Sequence, residues 1–143
     1  MLLHNNEEVL VLVSTNDNWD KAAEILGIKG EAFFGGVENC DFSVTQLSEL
    51  LSLGLTALDN KFNESPTVKT FLEIGTKAEA AGAAVTFSGF LESKYRHDAR
   101  AVVDSIKITN FPDSANLIME FSQAFHQADE FTTNAEVLRA WFD

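Results

Sequence analysis

The chain is short of the residues that staple, punctuate or catalyse. It holds 143 residues, with one cysteine and two prolines. A lone cysteine, Cys40, excludes an intrachain disulfide and points to a reducing, cytoplasmic setting. Its neighbours Glu38 and Asp41 are anionic and disfavour a thiolate, so Cys40 reads as a quiet, half-buried side chain rather than a nucleophile. No linker and no low-complexity stretch divides the sequence. Residues 1–143 therefore read as a single globular domain, long enough to bury roughly two thirds of its unfolded surface.

Long apolar runs are missing as well. The run from Val9 to Val13 is too short for a membrane span, and no basic region precedes it as in a secretory signal. Cations are scarce: 10 Lys and Arg stand against 22 Asp and Glu, giving a formal charge of −12. Such a chain repels nucleic acid and anionic membrane, both of which need a cationic face. The acidic residues are scattered, with no run longer than Glu7-Glu8 or Asp129-Glu130. That pattern fits either a solvated surface or an electrostatic lure for a basic protein.

Motifs of chemistry are absent in their turn. No GxxxxGK[ST] loop and no GxGxxG follows a strand, so the glycine-assisted phosphate cradles are excluded. FSGF around Ser88 lacks the preceding glycine of a GxSxG nucleophile turn. There is no CxxC, HExxH or HxH, and His4, His97 and His126 give no metal spacing. No cofactor and no metal is expected.

What is present is architecture. Twelve Phe stand against a single Tyr. Phe carries no polar handle, which suits a core, an apolar pocket or a subunit interface. Glu7 to Ser14 fits a buried strand. Asn18 opens a short helix with Trp19, Ala22, Ala23 and Leu26 inward, stopped at Gly27. GEAFFGGV reads as a short extended segment ended at Gly35-Gly36. Ser43 and Gln46 then form a capping box, with Phe42 and Leu47 placed as a staple, and Leu47, Leu50, Leu51, Leu55 and Leu58 recur at helical spacing. A further helix is expected from Ser65-Pro66 to Gly82, its inner face running Val68, Phe71, Leu72, Gly75 and Ala78. The small residues Gly75, Ala78 and Ala81 would let another backbone approach.

A hairpin over about 83–92 and 99–109 comes next. Val85, Phe87 and Leu91 alternate with Thr86, Ser88 and Glu92, while Gly89 on the apolar side suggests a bulge or a close approach. In the second strand Val102, Ile106 and Ile108 share a face on which strict alternation would also put Asp104. Either the strand bulges near Val103 or a carboxylate points at the core. Leu117, Ile118, Phe121, Ala124, Phe125 and Ala128 form an amphipathic helix after Phe111-Pro112. A last helix is read from the Thr133 and Glu136 capping box, burying Val137, Leu138, Trp141 and Phe142. The sum is an α+β domain: an antiparallel or mixed sheet of 3–4 strands with a central hairpin and about five helices, mainly on one face.

Three features carry candidate chemistry. SKYRHDAR, between the hairpin strands, gathers Lys94, Tyr95, Arg96, His97 and Arg100. Guanidinium forks suit a phosphate or carboxylate, but hairpin tips are ordinarily polar, and the only cationic loop of an acidic chain could dock on a second copy. Asp104, if turned inward, would have a raised pKa and suit proton transfer, or it could pair with Arg100. His126 flanks the Phe121–Phe125 stripe. The reading these support is a non-catalytic acidic binding module, expected to form a homodimer, that engages a basic protein partner or encloses a small apolar ligand. The alternative is a small enzyme acting on an anionic substrate, with Arg96, Arg100 and Lys94 as the clamp and His97 or Asp104 moving protons.

Overall fold

A computed structural model describes residues 18–28, 38–92, 99–112 and 115–143. Over these residues the chain runs α1 (Trp19–Leu26), β1 (Glu38–Phe42), α2 (Val44–Ser52), α3 (Val68–Ala80), β2 (Ala84–Leu91), β3 (Ala101–Thr109), α4 (Ala115–Phe125), β4 (Glu130–Thr133) and β5 (Val137–Trp141). The strands form one sheet in the order β1-β2-β3-β5-β4, with every neighbouring pair antiparallel. The expected strand near the N-terminus and the extended segment around Phe33-Phe34 lie outside the described residues.

Local chemistry sets the start of α2 and the end of α1, whereas Asn18 makes no side-chain capping bond to α1 and its amide donates to the Leu53 carbonyl instead. Ser43 and Gln46 close the expected capping box, each side chain meeting the other residue's backbone N–H. Gly27 stops α1 in the left-handed region, at φ +71°. Two boundaries differ from the expectation. α2 ends at Ser52 instead of running through the leucine series, so Leu55 is buried outside the helix and Leu58 is 48 % exposed. Helix α3 starts later than Ser65-Pro66: its cap position is Thr67, and the Ser65 hydroxyl instead accepts from the Phe62 N–H and donates to the Pro66 carbonyl.

The helical bundle lies against one face of the sheet. Phe42, Val85, Phe87, Ile106, Ile108, Leu138 and Ala140 point into it and are buried. Gly75 of α3 sits so close to the sheet that a Cβ there would meet Phe87 Cζ at 2.7 Å. Ala78 is fully buried beside it, whereas Ala81 lies at the exposed helix end and takes no part in the approach. Phe71 of α3 packs on Phe87, Phe125 and Phe142, with ring centroids 6.4, 5.0 and 6.2 Å away.

The largest departure from the sequence reading is at the C-terminal end. Instead of a fifth helix, residues 130–141 form the hairpin β4–β5, which raises the sheet to five strands and leaves four helices among the described residues. The side chain of Asn134 explains why. Its Oδ1 accepts from the N–H groups of Glu136 and Val137, while the Asn134 backbone N–H donates to the Val137 carbonyl. This folds Asn134–Glu136 into a tight turn where a capping box would have launched a helix. Beyond it Leu138, Ala140 and Phe142 are buried while Val137, Arg139 and Trp141 are half-buried, the period of a strand. Asn134→Ala is expected to lower stability by about 1 kcal/mol through loss of these side-chain acceptors, read from the midpoint of urea unfolding. An unchanged midpoint would mean that the strands alone set the turn.

Candidate functional site

The hairpin β2–β3 is not regular. Its register runs Ser88↔Ser105 and then Gly89↔Val103, so Asp104 is the extra residue of a β-bulge. This settles the choice left open by alternation: Asp104 is rotated away from the core, and the strand beyond it resumes with Ala101 and Val103 inward. Gly89 permits the bulge, because a Cβ there would overlap the Val102 carbonyl oxygen and come within 2.8 Å of its carbon.

On the sheet face opposite the helices, the bulge opens a basin of about 650 Å³. Its floor follows one line across four strands: Asp41 pairs with Ser88, Ser88 with Ser105, and Ser105 with Trp141. Phe90 lies one row on, and Phe62 from the loop before α3 meets it edge-on at 5.4 Å. Asp104 lines the basin beside Ser105, and Asp143 closes one end, its N–H donating to Asp129 Oδ2. The Ser88 hydroxyl donates to Asp41 Oδ1 at 2.7 Å. Among the described residues Arg139 is the one cation lining the basin, and its guanidinium is held by Glu130 at 2.8 Å. The local field is therefore negative over a half-buried aromatic floor.

Burial pushes the Asp104 carboxyl above its ordinary value of 3.8, and hydrogen bonds from the Ser105 side chain and its own backbone only partly oppose this. A raised folded-state pKa means that the native state prefers protonated Asp104. Its contribution to stability is full in acid, below the unfolded value, and is lost as pH rises through the raised folded value. Asp104→Asn is neutral at every pH and nearly the same shape. It is expected to melt above the wild type at neutral pH, with the gap closing as the pH falls toward 3.8. A variant that melts lower, or a gap indifferent to pH, would show that the carboxylate is not desolvated.

Of the candidates Arg100, Asp104 and His126, which the structure describes, Asp104 lines this basin, as does the half-buried Cys40. Lys94, Tyr95, Arg96 and His97 lie outside the described residues. Arg100 turns elsewhere: its Nε donates to Glu92 Oε1 at 3.2 Å, and it does not line the basin. Glu92, read from alternation as a solvent residue, is only 8 % exposed. Its N–H donates to the Arg100 carbonyl, and its own carbonyl accepts from Trp19 Nε1, so the pair forms the neck of the hairpin. The expected pairing of Arg100 with Asp104 thus gives way to Arg100–Glu92. His126 is exposed, with Nδ1 3.1 Å from the Gln123 carbonyl.

Sequence reading missed Phe90, Trp141, Phe62 and Asp41. One signal was there for Phe90: it falls on the polar side of a strand whose other polar-side residues are Thr86 and Ser88. Trp141 was hidden by the helical reading of its segment.

No family model matches the chain, and no curated protein or solved structure is detectably similar to it. The site must be read from its own geometry. Among the described residues no cluster of His, Cys, Asp and Glu could hold a metal ion, and no helix is long and apolar enough to cross a membrane.

Proposed function

We propose that the protein is a non-catalytic acidic binding module that engages a basic protein partner. The observation that carries this reading is the open basin itself, where Asp41, Asp104 and Asp143 surround an aromatic floor and Arg139, the one lining cation among the described residues, is already paired with Glu130. Complementary charge would speed encounter, and the −12 body would extend that attraction beyond the contact. The other form of the binding reading, a small apolar ligand held between sheet and helices, has less support. The phenylalanines that would line such a chamber pack on one another, Phe121 on Phe125 at 4.9 Å and Phe125 on Phe142 at 6.4 Å.

The test is affinity purification of the full chain from its own cells at low and high salt, with the retained proteins identified by mass spectrometry. A basic protein retained at low salt and released by high salt is the expected result. Recovery of no basic protein under either condition would overturn the reading. Self-association through the cationic octet is a separable part of the proposal. Solution mass across a salt series tests it, and a monomer throughout would remove it.

A further inference from the structure

Net charge favours a basic partner without saying which cation it presents or where that cation sits. The sheet face opposite α2, α3 and α4 is flanked, among the described residues, by the loop that carries Phe62. One row of this face runs from the Asp41 carboxylate through two small hydroxyls, Ser88 and Ser105, to the Trp141 indole. Small side chains flanked by larger ones make a trough, and three strand spacings give it a length of roughly 14 Å. Asp104 enters from the bulge beside Ser105, and Phe90 bounds the next row.

Lysine and arginine differ in what they ask of such a trough. An ammonium is a compact, strongly hydrated point charge, and a half-buried aromatic floor strips water from it at a cost. A guanidinium is planar and weakly hydrated. It stacks on aromatic faces and presents a fork of N–H donors to a carboxylate. The geometry points to an arginine on an extended segment of the partner, an inference that rests on the basic-partner reading and narrows it. The guanidinium lies against Trp141 and pairs with Asp104, while a neighbouring cation of the same segment reaches Asp41. Charge argues against a second copy as the occupant, since each chain brings −12 to an already acidic face.

The test titrates the full chain with two synthetic peptides, one alternating arginine and glycine, the other lysine and glycine, followed by NMR. The expected result is that the arginine peptide binds several-fold more tightly and shifts the Ser88, Ser105 and Trp141 resonances. Asp104→Asn and Trp141→Leu should each weaken it about tenfold, whereas Glu73→Gln on the far helix should not change it. Asp104→Asn is isosteric, and an NMR spectrum unchanged away from the basin would show that its loss of binding is not a folding defect. That variant carries the test if Trp141→Leu fails to fold. Equal binding of both peptides with no effect of Asp104→Asn would overturn the inference and leave the basic-partner reading standing. Binding of neither peptide would overturn both. Contacts of the Trp141 ring with the methyl groups of Val9–Val13, or a doubled mass with the face protected, would give the face to the chain itself or to a second copy and overturn the inference alone.

Discussion

Replacing Gly89 with alanine is expected to lower stability by roughly 3 kcal/mol or more, the upper end of what overpacking does. The reason lies in backbone, not side-chain, crowding. The added methyl would overlap the carbonyl oxygen of Val102 and lie 3.1 Å from the Val103 Cα, and neither can swing aside as a side chain can. Relief requires β2 and β3 to part at the middle of the sheet, where their pairing continues on both sides of the bulge. Gly27→Ala is the natural comparison. That glycine has open space around it and is needed only for its φ of +71°, so its replacement should cost about 1–2 kcal/mol. Urea unfolding of the two variants should therefore separate them clearly. If Gly89→Ala unfolds no more easily than Gly27→Ala, the bulge does not hold the strands at the distance described. Because the bulge also presents Asp104 to the basin, a folded Gly89→Ala chain should have lost its preference for the arginine peptide.

The same bulge shows how far the sequence could be read. Gly89 on an apolar strand face and Asp104 among the apolar positions Val102, Ile106 and Ile108 were two marks of one irregularity; alternation flagged both but left open whether the strand bulged or the carboxylate faced the core, which the register decides. The central hairpin, the capping box at Ser43 and the Leu117–Phe121–Phe125 stripe were legible for the same reason: each rests on local periodicity or local hydrogen bonding. The last hairpin was not. Thr133 and Glu136 satisfy a capping box by spacing, and Val137, Leu138, Trp141 and Phe142 suit one side of a helix as well as they suit a strand. The turn was decided by Asn134, which offers one acceptor to two N–H groups, and by the free flank of β3 that β5 completes. Pairing of that kind is non-local and leaves little trace in a short window. The candidate site suffered in consequence. Its acidic character could be read from composition, but its aromatic floor needed Trp141 on a strand beside Ser105. The pairing suggested for Arg100 with Asp104 failed for a related reason: its actual partner, Glu92, looked solvated by alternation but is buried at the hairpin neck.

Truncating Phe71 to alanine should be comparably severe, at about 4 kcal/mol, within the 3–5 kcal/mol usual for a buried Phe. Its ring is 1 % exposed and is the meeting point of three others, Phe87 from β2, Phe125 from α4 and Phe142 beyond β5. Those neighbours belong to three different elements that pair or pack elsewhere, so none can collapse into the vacated space without leaving its own contacts. Against a total of roughly 5–15 kcal/mol for a domain, the loss would be a large fraction. Phe71→Leu refills most of the volume and should cost about 1–2 kcal/mol. Equilibrium denaturation of both variants measures the difference. A Phe71→Ala midpoint close to that of Phe71→Leu would show that the site relaxes and that the ring cluster is not rigid. Rigidity here has a functional consequence. Phe142 lies between Trp141 and Asp143, two residues that line the basin, and its N–H donates to the Asp104 carbonyl. The ring that anchors Phe142 to the core therefore also fixes the side of the basin to which the indole and two carboxylates belong. In a Phe71→Ala chain that still folds, affinity for the arginine peptide should fall even though no basin residue has been changed.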